Sequence, residues 1–352
     1  MIGRDFMIRL SLFATARAAS LAVIALLASS GVALAGGDNY RLKTLGVGSS
    51  PYVVSTVFAN TVNNNTPYSI QVDSTGSGSR HAMETAMDKV QFTAVFSPGL
   101  AALMRDGKGM FESVPQAPDL YKDMRIVFYY PMGLYHAVVY ADSGIESYAD
   151  LRGKRVFTGP PTGIARRNVE ALIEGITGFK PDRDYQAVHI SWDAAAQSFQ
   201  DGNIDAYFNP TLAPSPVITQ IALTNKVRFL SIPESAGNDQ LSALLDRPGY
   251  RIEPLAPRVY GDNQVNAAPA RSIGVSIALA TNRRMDEKVV YDMTKAFWEN
   301  LEAQKAAVPQ MRSLSLETAL QDLNTPLHPG ALRYYREQGL DIPDNAMPPE
   351  AR

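Results

Sequence analysis

Four short polar loops carry the residues best suited to chemistry, and the chemistry they suit is holding an anion. Gly48-Ser49-Ser50-Pro51-Tyr52, Thr75-Gly76-Ser77-Gly78-Ser79, Pro160-Pro161-Thr162-Gly163 and Asn209-Pro210-Thr211 each combine small residues with hydroxyls. Small residues let backbone N–H groups approach a ligand, and hydroxyls add hydrogen bonds. A helical pattern follows each loop, and the unpaired N–H groups and partial positive charge of a helix start suit a carboxylate or phosphate. Arginines stand close by: Arg80 after the second loop, Arg166 and Arg167 after the third. A guanidinium there could pair with a carboxylate through two parallel hydrogen bonds, or be a solvated arginine on a surface turn. Each loop, likewise, could be a plain turn. Tyr52 and Tyr135 could wall a pocket or fill a core.

Bond-making chemistry finds no support. Ser77 sits in Gly76-Ser77-Gly78-Ser79, which is not the GxSxG turn of a hydrolase nucleophile. Gly46-Val47-Gly48 begins like a dinucleotide fingerprint, but Pro51 and Tyr52 break it. Without cysteine there is no thiol nucleophile, disulfide or thiolate metal site. The histidines, His81, His136, His189 and His328, lie too far apart for a zinc motif. Asp201, Asp205 and Asp239 form no recognisable acid/base pair. No catalytic residue, metal or cofactor is expected.

The elements that must position these loops begin after a leader. Residues 1–35 read as a secretory signal peptide: Arg4, Arg9 and Arg17, an apolar run from Leu21 to Ala28, then the small-x-small site Ala33-Leu34-Ala35. The alternative is a retained anchor. Export predicts a soluble periplasmic protein. The leader's three arginines against Asp5 contribute +2, so the formal charge of −2 becomes −4 on the remainder. That leaves no basic surplus for nucleic acid. The 317 residues remaining of 352 predict two domains at roughly 100 to 200 residues each.

Strand, polar loop and helix follow one another repeatedly, which predicts an α/β protein with a mostly parallel sheet. Strands are expected at 41–48, 68–72, 90–95, 125–130, 134–141, 155–157, 188–191, 204–208, 227–232 and 272–280, with Asp193 capping a short helix through Gln200. The strand at 134–141 leads out of the first domain and that at 272–280 returns to it. One lobe therefore comprises 36–137 with 271–352, and the other 138–270.

With these residues in view, the chain beyond its leader resembles the TAXI family of periplasmic solute receptors of TRAP transporters. Thr75-Gly76-Ser77-Gly78 stands where that family has a TGGS loop. Matches continue at DSGIESYADLRGKRV (142–156), DGNIDAYF (201–208), Val290 to Leu301 followed by Leu314-Ser315-Leu316, and Pro326-Leu327-His328-Pro329-Gly330-Ala331. The resemblance implies a periplasmic binding protein type II-like fold, two α/β lobes joined by a strand hinge with the ligand in the cleft. It implies a receptor rather than an enzyme, a monomer that closes on a small organic anion (dicarboxylate, 2-oxoacid or acidic amino acid) and delivers it to TRAP membrane permease subunits. By position, Ser49, Ser50 and Tyr52 match its first ligand loop, Ser77 and Gly78 the second, Tyr135 the inter-lobe strand, and Thr162 and Gly163 the second-lobe loop. Ser79, Arg80, Arg166, Asn209 and Thr211, taken from the residues themselves, complete the expected ligand-binding set.

The departures bear on the ligand. Gly48-Ser49-Ser50-Pro51-Tyr52 replaces GGTYYP, Arg80-His81 replaces Glu-Asn, and Pro161-Thr162-Gly163-Ile164-Ala165 shortens GSGTE. Loss of an acidic residue and gain of arginines would alter charge preference. The rival readings are an ABC-type receptor of similar fold, an exported chemosensory ligand-binding protein and an exported enzyme.

Overall fold

The computed structural model describes residues 38–47, 49–161 and 164–351. The expected leader lies outside these residues, as do Gly48, Thr162 and Gly163.

Three strand–helix units open the fold: β1 (Asn39–Lys43) with α1 (Ser50–Asn65), β2 (Ser69–Asp73) with α2 (Gly78–Ala86), and β3 (Phe92–Phe96) with α3 (Pro98–Asp106). After α4 (Ala117–Tyr121) comes β4 (Met124–Tyr140), 17 residues long. The next stretch holds β5 (Arg155–Phe157), α5 (Ile164–Thr177), β6 (Gln186–Val188), α6 (Trp192–Gln200) and β7 (Ala206–Thr211). It continues with α7 (Pro216–Thr224), β8 (Val227–Phe229), α8 (Asp239–Leu245) and β9 (Tyr250–Leu255). The long strand β10 (Ala270–Asn282) runs back, followed by α9 (Glu287–Glu299), α10 (Leu301–Ala307), α11 (Leu316–Ala319) and α12 (Pro329–Glu337).

Local chemistry explains the helix starts. Ser49 caps α1 by accepting the Tyr52 N–H at 3.3 Å, with Pro51 in the first turn where its missing N–H costs nothing. Ser97-Pro98 repeats the device at α3, which ends on Gly107 in the left-handed region. Ser191, not Asp193 as expected, caps α6 by accepting the Ala194 N–H, and Asp193 lies inside its first turn. Both residue types can cap, and Ser191 alone has the extended backbone that a cap requires.

The described strands form one sheet in the order β2-β1-β3-β10-β4-β7-β5-β6, with β8 on β4 and β9 on β10. It is mixed, not mostly parallel. β1 and β3 are parallel, as are β5, β6 and β7, but β4 and β10 run antiparallel to each other and to their other neighbours. β4 also joins the two strands expected at 125–130 and 134–141. Pro131-Met132-Gly133 reads as a break, yet the ladder to β10 passes through it by a register shift: Pro131 faces Ser276 and Gly133 faces Val275, leaving Met132 as the extra residue. A bulge accommodates a proline that cannot donate to a ladder.

Burial divides along these two strands. One core gathers Phe58, Phe92, Phe128, Phe297 and Trp298 with residues from both ends of the described chain. Beyond it, alternate residues of β4 enter two further cores on opposite faces of the sheet: Tyr135, Ala137 and Val139 on one, Leu134 and Val138 on the other. Among the described residues no helix is long and apolar enough to cross a membrane.

Candidate functional site

The polar loops gather at strand ends. The Thr44 N–H bonds the Asp73 carbonyl at 3.0 Å, so the end of β2 lies beside the end of β1. The parallel pairing of β5 with β7, Phe157 beside Tyr207, brings the end of β5 alongside the stretch of β7 that leads to Asn209.

Asn209-Pro210-Thr211, expected as a fourth loop, is instead the end of strand β7, paired with Leu134, Tyr135 and His136 of β4, and the first loop meets it there. Ser50 is buried, its hydroxyl accepts the Leu212 N–H at 2.9 Å, and the Thr211 hydroxyl stands 3.5 Å away. Gly133, at φ 126°, lies beneath this contact, and a methyl group on it would overlap the Thr211 carbonyl. Asn209, on the same strand, donates to the Tyr207 hydroxyl at 2.9 Å. Ser49 is occupied as the α1 cap, and Tyr52 is half-buried on the first turn, its hydroxyl without a hydrogen bond among the described residues. A second approach of the two lobes lies at Pro98 and Gly249, where a Cβ on the glycine would meet the proline ring at 2.8 Å.

The second loop is settled within its own lobe. Lys43 reaches Asp73 at 2.5 Å, and this bond, with those from Thr75, holds the Asp73 carboxyl well below the usual carboxylate range. His81, fully buried, places Nε2 at 2.9 Å from the Thr75 carbonyl, and burial lowers its affinity for a proton. Ser77 is exposed, with its hydroxyl 3.4 Å from that of Ser79, and Gly78 begins α2. Arg80 bonds Glu84 one turn on at 2.7 Å, with 71% of its side chain exposed. That is the solvated surface arginine, not a group held toward the cleft.

Tyr135 takes the core alternative. It is 1% exposed, and its hydroxyl accepts from Asn168 at 2.7 Å. The same amide nitrogen bonds the Tyr250 hydroxyl, while Arg247 donates to the amide oxygen at 2.9 Å. Burial raises the Tyr135 phenol well above its usual range, so it stays neutral. On the opposite face, buried His136 accepts from the Tyr260 hydroxyl at 2.8 Å and donates to the Leu134 carbonyl at 2.9 Å. Tyr260 in turn accepts the Ser215 N–H. Burial pushes the His136 imidazole down to about 4.

Thr162 and Gly163 lie outside the described residues, but Arg166 does not. Its Nε is buried without a hydrogen-bond partner among the described residues and stands 3.9 Å from Glu170 Oε1. That oxygen instead accepts from Thr158 at 3.3 Å and from His189 at 3.1 Å. Sequence reasoning missed Thr158, Glu170 and His189. The spacing of Arg166 and Glu170, four residues apart in a helix, was the available signal. It missed Ser97 too, although Ser97-Pro98 repeats the pattern of Ser50-Pro51.

The model of the NMT1-like family matches residues 42–339. The chain belongs to the NMT1-like family. This is a family of periplasmic solute-binding proteins. Among solved structures, one described as a periplasmic transporter matches with a TM-score of 0.50 at 14% identity, over 86% of this chain and 93% of that one. That likeness shows the two-lobed α/β fold of this NMT1-like chain. The periplasmic aliphatic sulphonate binding protein SsuA from Escherichia coli matches at a TM-score of 0.44 and 13% identity, over 88% of this chain and 96% of that one. A TRAP periplasmic solute binding protein from Shewanella oneidensis with bound succinate matches at 0.43 and 10%, over 86% and 92%.

Proposed function

We propose that this NMT1-like protein is an exported periplasmic receptor that binds a small organic anion between its lobes and delivers it to a TRAP-type permease. The observation that carries the reading is Arg166: a partly buried guanidinium with a donor that has no partner among the described residues, on the strand-end side of the second lobe. A planar fork of donors in that state suits a carboxylate or sulfonate. Residues 36–137 with 271–352 act as one lobe and 138–270 as the other, with β4 and β10 as the hinge. Ligand shifts the population toward the closed arrangement. The hydroxyls of Ser77, Ser79 and Tyr52 and the amide of Asn209 supply neutral contacts, and no step of bond making is assigned. The choice of a TRAP-type partner rests on the motifs at 75–78, 142–156 and 326–331.

A ligand that binds only the native state raises the melting temperature, by about 2.7 kcal/mol of stabilisation at a hundredfold excess over Kd. Thermal unfolding against succinate, 2-oxoglutarate, glutamate, acetate and propanesulfonate is expected to show a shift with at least one acid. Arg166→Gln is expected to reduce that shift markedly. A flat response to the whole panel overturns the reading.

A further inference from the structure

We propose that Glu170 is a positioning residue whose charge restrains Arg166, so that an incoming anion must draw the guanidinium away from an internal competitor. The inference rests on the reading that an organic anion binds at Arg166. It adds that the protein is detuned: its own carboxylate weakens the binding.

The geometry has three parts. The Glu170 carboxylate is fixed from the sheet. β5 and β6 are parallel with Phe157 facing Val188, so Thr158 and His189 emerge side by side, and both bond the same oxygen, Oε1. Arg166 is attracted to that oxygen without bonding it, because 3.9 Å is beyond hydrogen-bond range. Its backbone packs closely on Gly159, where a Cβ would lie 2.9 Å from the Arg166 nitrogen, while 32% of its side chain is exposed. The guanidinium is thus free to change partners from a closely packed base. The carboxylate field also reaches beyond the arginine: the buried Tyr185 phenol is raised first by burial and next by the charge of Glu170.

An anion reaching Arg166 therefore meets one attractive and one repulsive charge about a turn apart. Glu170→Gln keeps an oxygen to accept from Thr158 and His189 but removes the repulsion and the competition. A residue needed only for structure would behave in the opposite way, weakening binding and lowering stability together.

The test is a double-mutant cycle by calorimetric titration of the full chain with succinate, 2-oxoglutarate and propanesulfonate. Glu170→Gln is expected to tighten whichever of these bind by roughly three- to tenfold, with little change in Tm. Arg166→Gln is expected to weaken them at least about tenfold, and in the double variant the gain from Glu170→Gln should vanish. Weaker binding by Glu170→Gln, or a gain that persists without Arg166, overturns the restraint while leaving the anion reading intact. Unchanged affinity in Arg166→Gln removes Arg166 from the site. If none of the acids binds any variant, both the anion reading and this inference fall.

Discussion

The two lobes bring polar groups to their strand ends in different states. On the first, the charges have partners of their own: Lys43 holds Asp73 and Arg80 holds Glu84. On the second, Glu170 is bonded twice while Arg166, 3.9 Å away, is attracted but not bonded. A surface whose charges are settled discriminates by shape and hydroxyl placement, whereas one with an unsettled cation discriminates by charge. The interiors differ as well. The first lobe has a single aromatic core, with Phe128 and Phe297 stacked at 4.7 Å. The second packs against the linking strands β4 and β10 in two thinner cores, each fastened by a buried polar group: Asn168 between Tyr135 of β4 and Tyr250, and Tyr260 on His136 of β4.

Three measurements press on this contrast. The largest effect belongs to Phe128→Ala, which removes the centre of the aromatic stack and should cost about 3–5 kcal/mol in urea unfolding. The folded fraction should keep its affinity for any acid that binds, because the cavity lies inside the first lobe. Loss of affinity without loss of stability would break the separation between core and cleft.

Acid should next strike both lobes, since each packs around a buried neutral histidine. His136, which β4 carries against Phe229 and Tyr260 of the second lobe, and His328 in the first are each pushed down by burial from 6.5 to about 4. The unfolded chain binds these protons at the higher value, so it carries more protons between the two. Stability therefore falls as pH drops from about 6.5 to about 4, by about 3 kcal/mol per histidine, and this contribution levels off below. His136→Gln and His328→Gln should each remove a share of the slope in a Tm profile over that interval. A profile already flat in the wild type would refute the argument for both.

The smallest effect is Asn168→Leu. It leaves the buried Tyr135 and Tyr250 hydroxyls without their shared partner and should cost about 1–3 kcal/mol. The same loss is not expected from Arg80→Gln, whose ion pair is exposed and contributes little. Equal losses from the two, measured by denaturation, would erase the distinction between a buried fastening and a solvated pair.

Much of the fold was legible because it is written locally. Ser49-Ser50-Pro51 marks a helix start, and Val53, Val54, Val57, Phe58 and Val62 mark its apolar face, of which all but the half-buried Val53 are buried; the strand–loop–helix order gives an α/β fold of two lobes. What escaped is long-range. The continuity of β4 through Pro131 depends on a bulge against β10, and the antiparallel run of the two long strands depends on pairing that no local pattern records. The site divides in the same way. Arg80 and Glu84 can be paired on paper from their spacing in α2. The partner of Ser50 is a backbone N–H 162 positions away, and His189 reaches Glu170 only through the register of β5 and β6.

Gly133 has a consequence for anyone who would retune the molecule. It sits in the bulge of the strand that links the lobes, with the Thr211 carbonyl where a side chain would begin. Hydrogen is thus the thinnest possible shim at the joint. An alanine there, strained at φ 126°, would press the end of β7 away from β4 and loosen the seat that Leu212 offers Ser50. The spacing at the joint, and with it the placement of the Ser50 and Thr211 hydroxyls, thus answers to a single methyl group.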